Sequence, residues 1–188
     1  SNALLVNLEA MGAAEKIDTF SIEEYLALET EADYRSFYYN GYIYAMTGAS
    51  PRHNDIQTNL HHTLGGRFRS KACKTRGSDQ TVGIQGLNTL YNYPDFVNVW
   101  GPPKYIGPKP LTLTNPTLLV EVLSSGTREF DLGKKAQIYR SIPTLRQYIM
   151  VDSEQVYVGI YTRQGISSWL FEEYDCLYST FTALGESN

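Results

Sequence analysis

Glu121 is the one acid inside the run Thr-Leu-Leu-Val-Glu-Val-Leu-Ser at 117–124. Leu118, Leu119, Val120, Val122 and Leu123 give that run the composition of a strand buried on both faces. An ionised carboxylate left alone there costs several kcal/mol of desolvation. Such a group needs a basic neighbour, a hydrogen-bond network, a raised pKa that keeps it neutral, or a metal ion. Two further segments carry matching chemistry. In Asn-Tyr-Pro-Asp-Phe-Val-Asn-Val-Trp (92–100), Pro94 suits the start of a strand, which puts Asp95 at its entrance ahead of the alternating Val97 and Val99. In 127–140, a turn leads into a short helix with Lys135 and Tyr139 four apart on one face. Adjacent acids repel unless a cation holds them, and hard oxygen ligands suit magnesium or manganese. A nearby lysine stabilises charge developing on a phosphate or positions a hydroxide.

The elements that must carry these groups are legible at several points. Phe20-Ser21-Ile22-Glu23-Glu24-Tyr25 spells a capping box and a hydrophobic staple, predicting a helix over 21–29. Asn40-Gly41 between tyrosine-rich runs predicts a tight β-hairpin. Ser50-Pro51 opens a long helix ending near Ser70, with Ile56, Leu60, Leu64 and Phe68 as its buried stripe. Strands follow at 79–85, after Asp95 and around Glu121; between the last two, the four prolines of the 101–110 loop keep it out of the sheet and leave it to rim a cleft. Residues 148–152 and 156–161 read as two more strands, and the Gln164-Gly165 turn leads to another at 168–171. Helix, hairpin, helix, strands, helix and strands predict an α/β or α+β domain, a mixed sheet with helices against it.

At 188 residues and 42% apolar content the chain suits one domain, placed at 19–188 behind an N-terminal tail at 1–18. Ser1-Asn2-Ala3 reads as an expression-tag scar. With no apolar run of membrane-spanning length and no signal-like start, a cytoplasmic location without membrane contact is expected. Cys73 and Cys176 match no paired metal or redox motif and read as free thiols. The net charge of −4 argues against a protein that coats nucleic acid nonspecifically, without excluding a local basic groove.

Taken together, Tyr-Pro-Asp (93–95), Glu-Val-Leu-Ser (121–124) and Asp-Leu-Gly-Lys-Lys (131–135), followed by Tyr139 and Ile142-Pro143, resemble the Uma-type restriction endonuclease family, abundant in cyanobacteria. That family belongs to the PD-(D/E)XK nuclease superfamily. Residues 46–53, Gly77-Ser-Asp79 and Asn115-Pro116 resemble it too, so the likeness spans roughly 20–172. The resemblance implies a restriction-endonuclease-like core: a central mixed β-sheet flanked by helices, presenting Asp95 and Glu121 to Mg2+ or Mn2+, with the Val122 backbone carbonyl as a further metal ligand. It implies hydrolysis of DNA phosphodiester bonds, in which Lys135 offsets transition-state charge, and a homodimer that cuts two strands with two sites. Leu123 occupies the position of the usual lysine two residues past the glutamate, and the family's helix lysine maps to Lys135 rather than Lys134. Phe37 and Tyr42 stand where the family carries acids around the Asn40-Gly41 turn, and Ser125-Gly126 replaces Pro-Ser after the glutamate strand.

The other candidates admit plainer readings. Asp95, Glu121 and Lys135 can form a purely structural salt bridge. His53, in the first turn of the long helix, is an accessory residue for phosphate or site order, or only a helix-start histidine. His61 and His62 read as surface or packing residues, and Asp131 as a helix cap. Arg67, Arg69, Lys71, Lys74 and Arg76 either track a nucleic-acid backbone or form a solvated face near a helix C-terminus. Lys104 and Lys109 are placed to reach DNA from the proline loop. The reading from a different class is a catalytically weak or inactive nuclease-fold protein that binds nucleic acid or dimerises.

Overall fold

In the computed structural model, which describes residues 19–46, 48–69, 72–86, 89–107, 111–176, 180 and 183, Ser21 closes the capping box at the start of α1 (Ile22–Glu31). Its hydroxyl accepts from the Glu24 N–H at 3.1 Å, and the Glu24 carboxylate accepts from the Ser21 N–H at 2.7 Å. The tail at 1–18, with Ser1-Asn2-Ala3, lies outside the described residues, as do Ser70, Lys71 and Lys109. Strands β1 (Ser36–Tyr39) and β2 (Tyr42–Ala45) form the expected hairpin. Asn40 and Gly41 both take positive φ, 47° and 96°, which the tight two-residue turn between right-twisted strands requires.

Ser50 caps α2 (Pro51–Phe68), with Pro51 at its first turn. Leu64 and Phe68 are buried, whereas Ile56 and Leu60 are only half-buried, so the apolar stripe deepens toward the C-terminal end of the helix. Then come β3 (Cys73–Gly77), β4 (Val82–Ile84), β5 (Leu90–Asn92) and β6 (Phe96–Trp100). The basic run after α2 thus enters β3, an edge strand antiparallel to β6, instead of forming only a helix end. The proline loop is not wholly outside the sheets either. Tyr105–Ile106, lying between its proline pairs, forms β7 against β8 (Thr112–Leu113). Proline bars the ladder only where its own missing N–H is needed, and these two residues keep theirs.

All six residues of β9 (Leu118–Leu123) are buried. The chain next crosses over through α3 (Arg128–Phe130), a π-helical turn (Asp131–Lys135) and α4 (Ala136–Tyr139) to β10 (Gln147–Asp152), parallel to β9. Strands β11 (Val158–Arg163) and β12 (Trp169–Tyr174) complete the described elements. One sheet runs β12-β11-β10-β9-β6-β3 and is mixed; a second, which the sequence did not announce, runs β2-β1-β5-β4-β8-β7. Alternation along β9 assigns its two faces. Leu119 and Leu123 pack with Ala136, Ile138 and Tyr139 of the crossover and with Phe37, Val82 and Leu90 of the second sheet, while Leu118 and Val120 pack with Leu64 and Phe68 of α2. Burying each large apolar side chain of β9 stabilises the fold by roughly 1.5–3 kcal/mol. The two acids of interest sit inside the best-packed layer of the molecule.

The hairpin turn yields a direct test. A Cβ on Gly41 would lie 2.7 Å from the Thr19 Cβ, at a φ of 96°. Gly41→Ala should therefore destabilise the protein by about 1–2 kcal/mol, read as a lower urea midpoint with an unchanged slope.

Candidate active site

Strand register brings the acids together. Phe96 pairs with Val120 across the antiparallel β6 and β9, and one further step of that register sets Asp95 opposite Glu121. Both side chains are nearly out of solvent, 12% exposed for Asp95 and 7% for Glu121. Asp95 stands at the entrance of β6, as Pro94 predicts, and β6 lies beside the Glu121 strand. The structure also brings Lys135 and His53 to the two acids.

Glu121 is held through a single oxygen. Its Oε1 accepts from Asn92 Nδ2 at 3.1 Å and from the Tyr139 hydroxyl at 2.9 Å, and the Lys135 ammonium lies 3.5 Å away. Among the described residues no hydrogen bond falls on Oε2. Asn92 also donates to the Tyr139 hydroxyl at 3.0 Å, so the two donors brace each other. Burial is the largest influence on the Glu121 carboxyl and, helped by the nearby Asp131 and Asp95, pushes its pKa up to about 8 against the pull of Lys135 and the Tyr139 hydrogen bond. Burial also works against the Lys135 ammonium, but Asp131 and Glu121 outweigh it and hold the lysine above its ordinary range. Burial, reinforced by Glu121, raises the Tyr139 phenol well above its usual value, so it remains a donor.

Asp95 is held from three directions. Its Oδ2 accepts from the Val122 N–H at 2.7 Å, while Oδ1 meets His53 Nε2 at 3.1 Å and accepts from Gln57 Nε2 at 3.0 Å. The Asp95 carbonyl accepts from His61 Nε2 at 3.0 Å, and the His61 ring packs on Phe96 at 5.0 Å. Val122, expected to offer its carbonyl, is joined to Asp95 through its N–H.

Several expectations need correction. Asp131 does not cap a helix: Thr127 occupies the N-cap of α3, and Asp131 lies 2% exposed inside the π-helical turn, ion-paired to Lys135 and accepting from Thr127 Oγ1 at 2.7 Å. His61 is not a mere surface or packing residue, because it fixes the Asp95 backbone, while His62 is exposed as expected. Asn92 and Gln57 went unnoticed in the sequence. His53, Gln57 and His61 recur every four residues along α2, and that polar stripe was the available signal for the helix face that meets Asp95. Lys104 is exposed, its backbone N–H bound by Asn115 Oδ1 at 2.7 Å. Phe37 is buried and stacks on Tyr44 at 4.7 Å and on Phe130 at 5.6 Å, and the Lys135 ammonium lies 5.6 Å from that same Phe130 ring. Tyr42 is half-buried.

Comparison with known proteins bears on the family and the fold. The profile of the Uma2 family, described as "Putative restriction endonuclease", matches residues 22–181. The chain is 33% identical over 150 residues to "Uncharacterized protein sll1609" of Synechocystis, covering 80% of this chain and 84% of that one. To "Uncharacterized protein slr1290" of the same organism it is 34% identical over 155 residues, covering 82% and 80%. Its fold superposes with a TM-score of 0.67 on the crystal structure of "a putative nuclease belonging to DUF820" from Anabaena variabilis, at 15% identity and with 86% and 87% of the two chains covered. The mixed sheet flanked by helices is therefore of restriction-endonuclease type, and the chain belongs to the Uma2 family.

Proposed function

We propose that this protein is a divalent-metal-dependent endonuclease that hydrolyses DNA phosphodiester bonds. The observation that carries the reading is the convergence of Asp95, Glu121 and Lys135, from three separate segments, on one buried point where acids outnumber the amine. The donor set suits a hard cation. Among the described residues Glu121 keeps Oε2 clear of hydrogen bonds, Asp95 is pinned beside it, and the Val122 carbonyl is the further ligand proposed. No group of three His, Cys, Asp or Glu side chains among the described residues is arranged to hold a metal ion, and magnesium ordinarily needs only one or two carboxylates beside water and substrate phosphate. Bound there, magnesium or manganese supplies Lewis-acid chemistry to the phosphodiester.

The chain's own residues do the rest. Val122 N–H, His53 and Gln57 orient Asp95, with His53 in an accessory role. Asn92 and Tyr139 turn Glu121 so that its unbonded oxygen is available. Lys135, held charged by its two carboxylates, offers the positive charge that the phosphate needs as charge builds on it. Two strands of a duplex call for two such sites, which a homodimer supplies. No helix among the described residues is long and apolar enough to cross a membrane; a cytoplasmic setting is part of the proposal. One observation favours a second reading, nucleic-acid binding or dimerisation without cutting: Phe37 fills an aromatic stack where the family's acid would stand. Calorimetric titration with Mg2+ or Mn2+ separates the two, since the second reading expects no uptake.

Glu121→Gln and Asp95→Asn should each lower cleavage of plasmid and single-stranded substrates by more than roughly 100-fold, beyond the loss typical of outer-shell residues. Both should stay folded by circular dichroism, and wild-type rates in both would overturn the proposal.

The Glu121 carboxyl also fixes a pH dependence. Its folded pKa, about 8, stands above the ordinary 4.5, so the folded apoprotein holds a proton that the unfolded chain has released, and this group's contribution to stability falls as pH rises from 4.5 to about 8. Ion binding requires the ionised form. Divalent affinity should therefore climb as pH rises toward about 8, with proton release on binding, measured by calorimetry in buffers of different ionisation enthalpy. Affinity flat across that window would count against Glu121 as a ligand.

A further inference from the structure

Lys135 serves two carboxylates at once. Asp131, four residues earlier in the π-helical turn, is the closer partner, and Glu121 Oε1 lies 3.5 Å from the ammonium. Asp131 is fixed independently of the lysine: Oδ2 accepts from Thr127 Oγ1 at 2.7 Å, its N–H donates to the Thr127 carbonyl at 2.9 Å, and its own carbonyl accepts from the Tyr148 hydroxyl at 3.3 Å. One ammonium is thus shared among three buried acids, Asp95, Glu121 and Asp131.

Without Asp131, the ammonium would have Glu121 as its only carboxylate within salt-bridge distance among the described residues and would neutralise the oxygens that a cation needs. With it, the lysine is anchored on the crossover side and only partly compensates Glu121. We propose that Asp131 is a positioning residue that draws the charge of Lys135 toward itself, leaving the Asp95–Glu121 pair under-neutralised and so able to take a divalent cation. The inference rests on the nuclease reading of the same site. A purely structural Asp131, present only to keep a buried lysine company, would have no effect on cation affinity beyond any loss of folding.

Charge bookkeeping gives a test that structure alone would not pass. Asp131→Asn removes one negative charge, whereas the double variant Asp131→Asn with Lys135→Gln removes the ion pair as a neutral unit. In calorimetric Mn2+ titrations of the purified full chain without nucleic acid, Asp131→Asn should bind about 10–100-fold more weakly than wild type. The double variant should return to within about threefold of wild type, although its cleavage, lacking Lys135, stays low. Wild-type affinity in Asp131→Asn, or a double variant as weak as the single, would overturn the proposal. Should Asp131→Asn fail to fold by circular dichroism, Asp131→Ser is titrated in its place, a tenfold or greater loss of Mn2+ affinity supporting the idea and wild-type affinity sinking it. A wild-type chain that takes up no Mn2+ is the distinct result that defeats the nuclease reading itself, and this inference with it.

Discussion

A carboxylate in the middle of a buried strand has to be solvated by protein, and the surroundings of Glu121 are built to do that on one oxygen only. Asn92 comes from the second sheet, Tyr139 and Lys135 from the crossover, and all three converge on Oε1. The amide and the phenol are buried polar groups that Glu121 and each other satisfy, and the ammonium is a buried charge held between Glu121 and Asp131. The hydrogen-bond network is therefore held together by mutual need. Its geometry also leaves Oε2 uncommitted among the described residues.

Packing on both faces of β9 makes that geometry hard to relax. Leu119 and Leu123 lock the strand to the crossover and the second sheet, while Leu118 and Val120 lock it to α2. Asp95 lies at the strand end, where the helix can reach it, and His53, Gln57 and His61 bind its carboxylate and its backbone from successive turns. Arg163 secures the far end of the crossover by donating to the carbonyls of Arg140 at 3.0 Å and Ile142 at 2.7 Å, so the orphan carbonyls left where α4 stops are satisfied from β11.

The sequence disclosed what depends on local pattern. The capping box at Ser21, the positive-φ turn at Asn40-Gly41, the Ser50-Pro51 helix start and the continuous apolar run around Glu121 each have one dominant local cause, and each forms as read. The four-residue spacing to Tyr139 and the likeness to the nuclease family both point to Lys135 over Lys134. What stayed hidden depends on elements far apart in the chain. Neither the order of the second sheet nor the reach of Asn92 to Glu121 is encoded in any short window. The π-helical turn was hidden for a different reason: its five residues have no composition that separates them from an ordinary helix.

That turn bears on why the amine sits on a helix at all. Side chains two apart on a strand share a face, so a lysine at 123 would stand beside Glu121 on the same strand. Leu123 is instead fully buried in the apolar cluster between the sheets and the crossover, and an ammonium there would exchange that packing for a desolvated charge. Moving the amine to the crossover keeps the strand apolar and lets Asp131, on the same turn, accompany it into the interior. The helix also carries Tyr139 one turn further on, so a single element delivers both the positive charge and a neutral donor to Glu121. A strand-borne lysine would have brought neither the tyrosine nor the second acid with it.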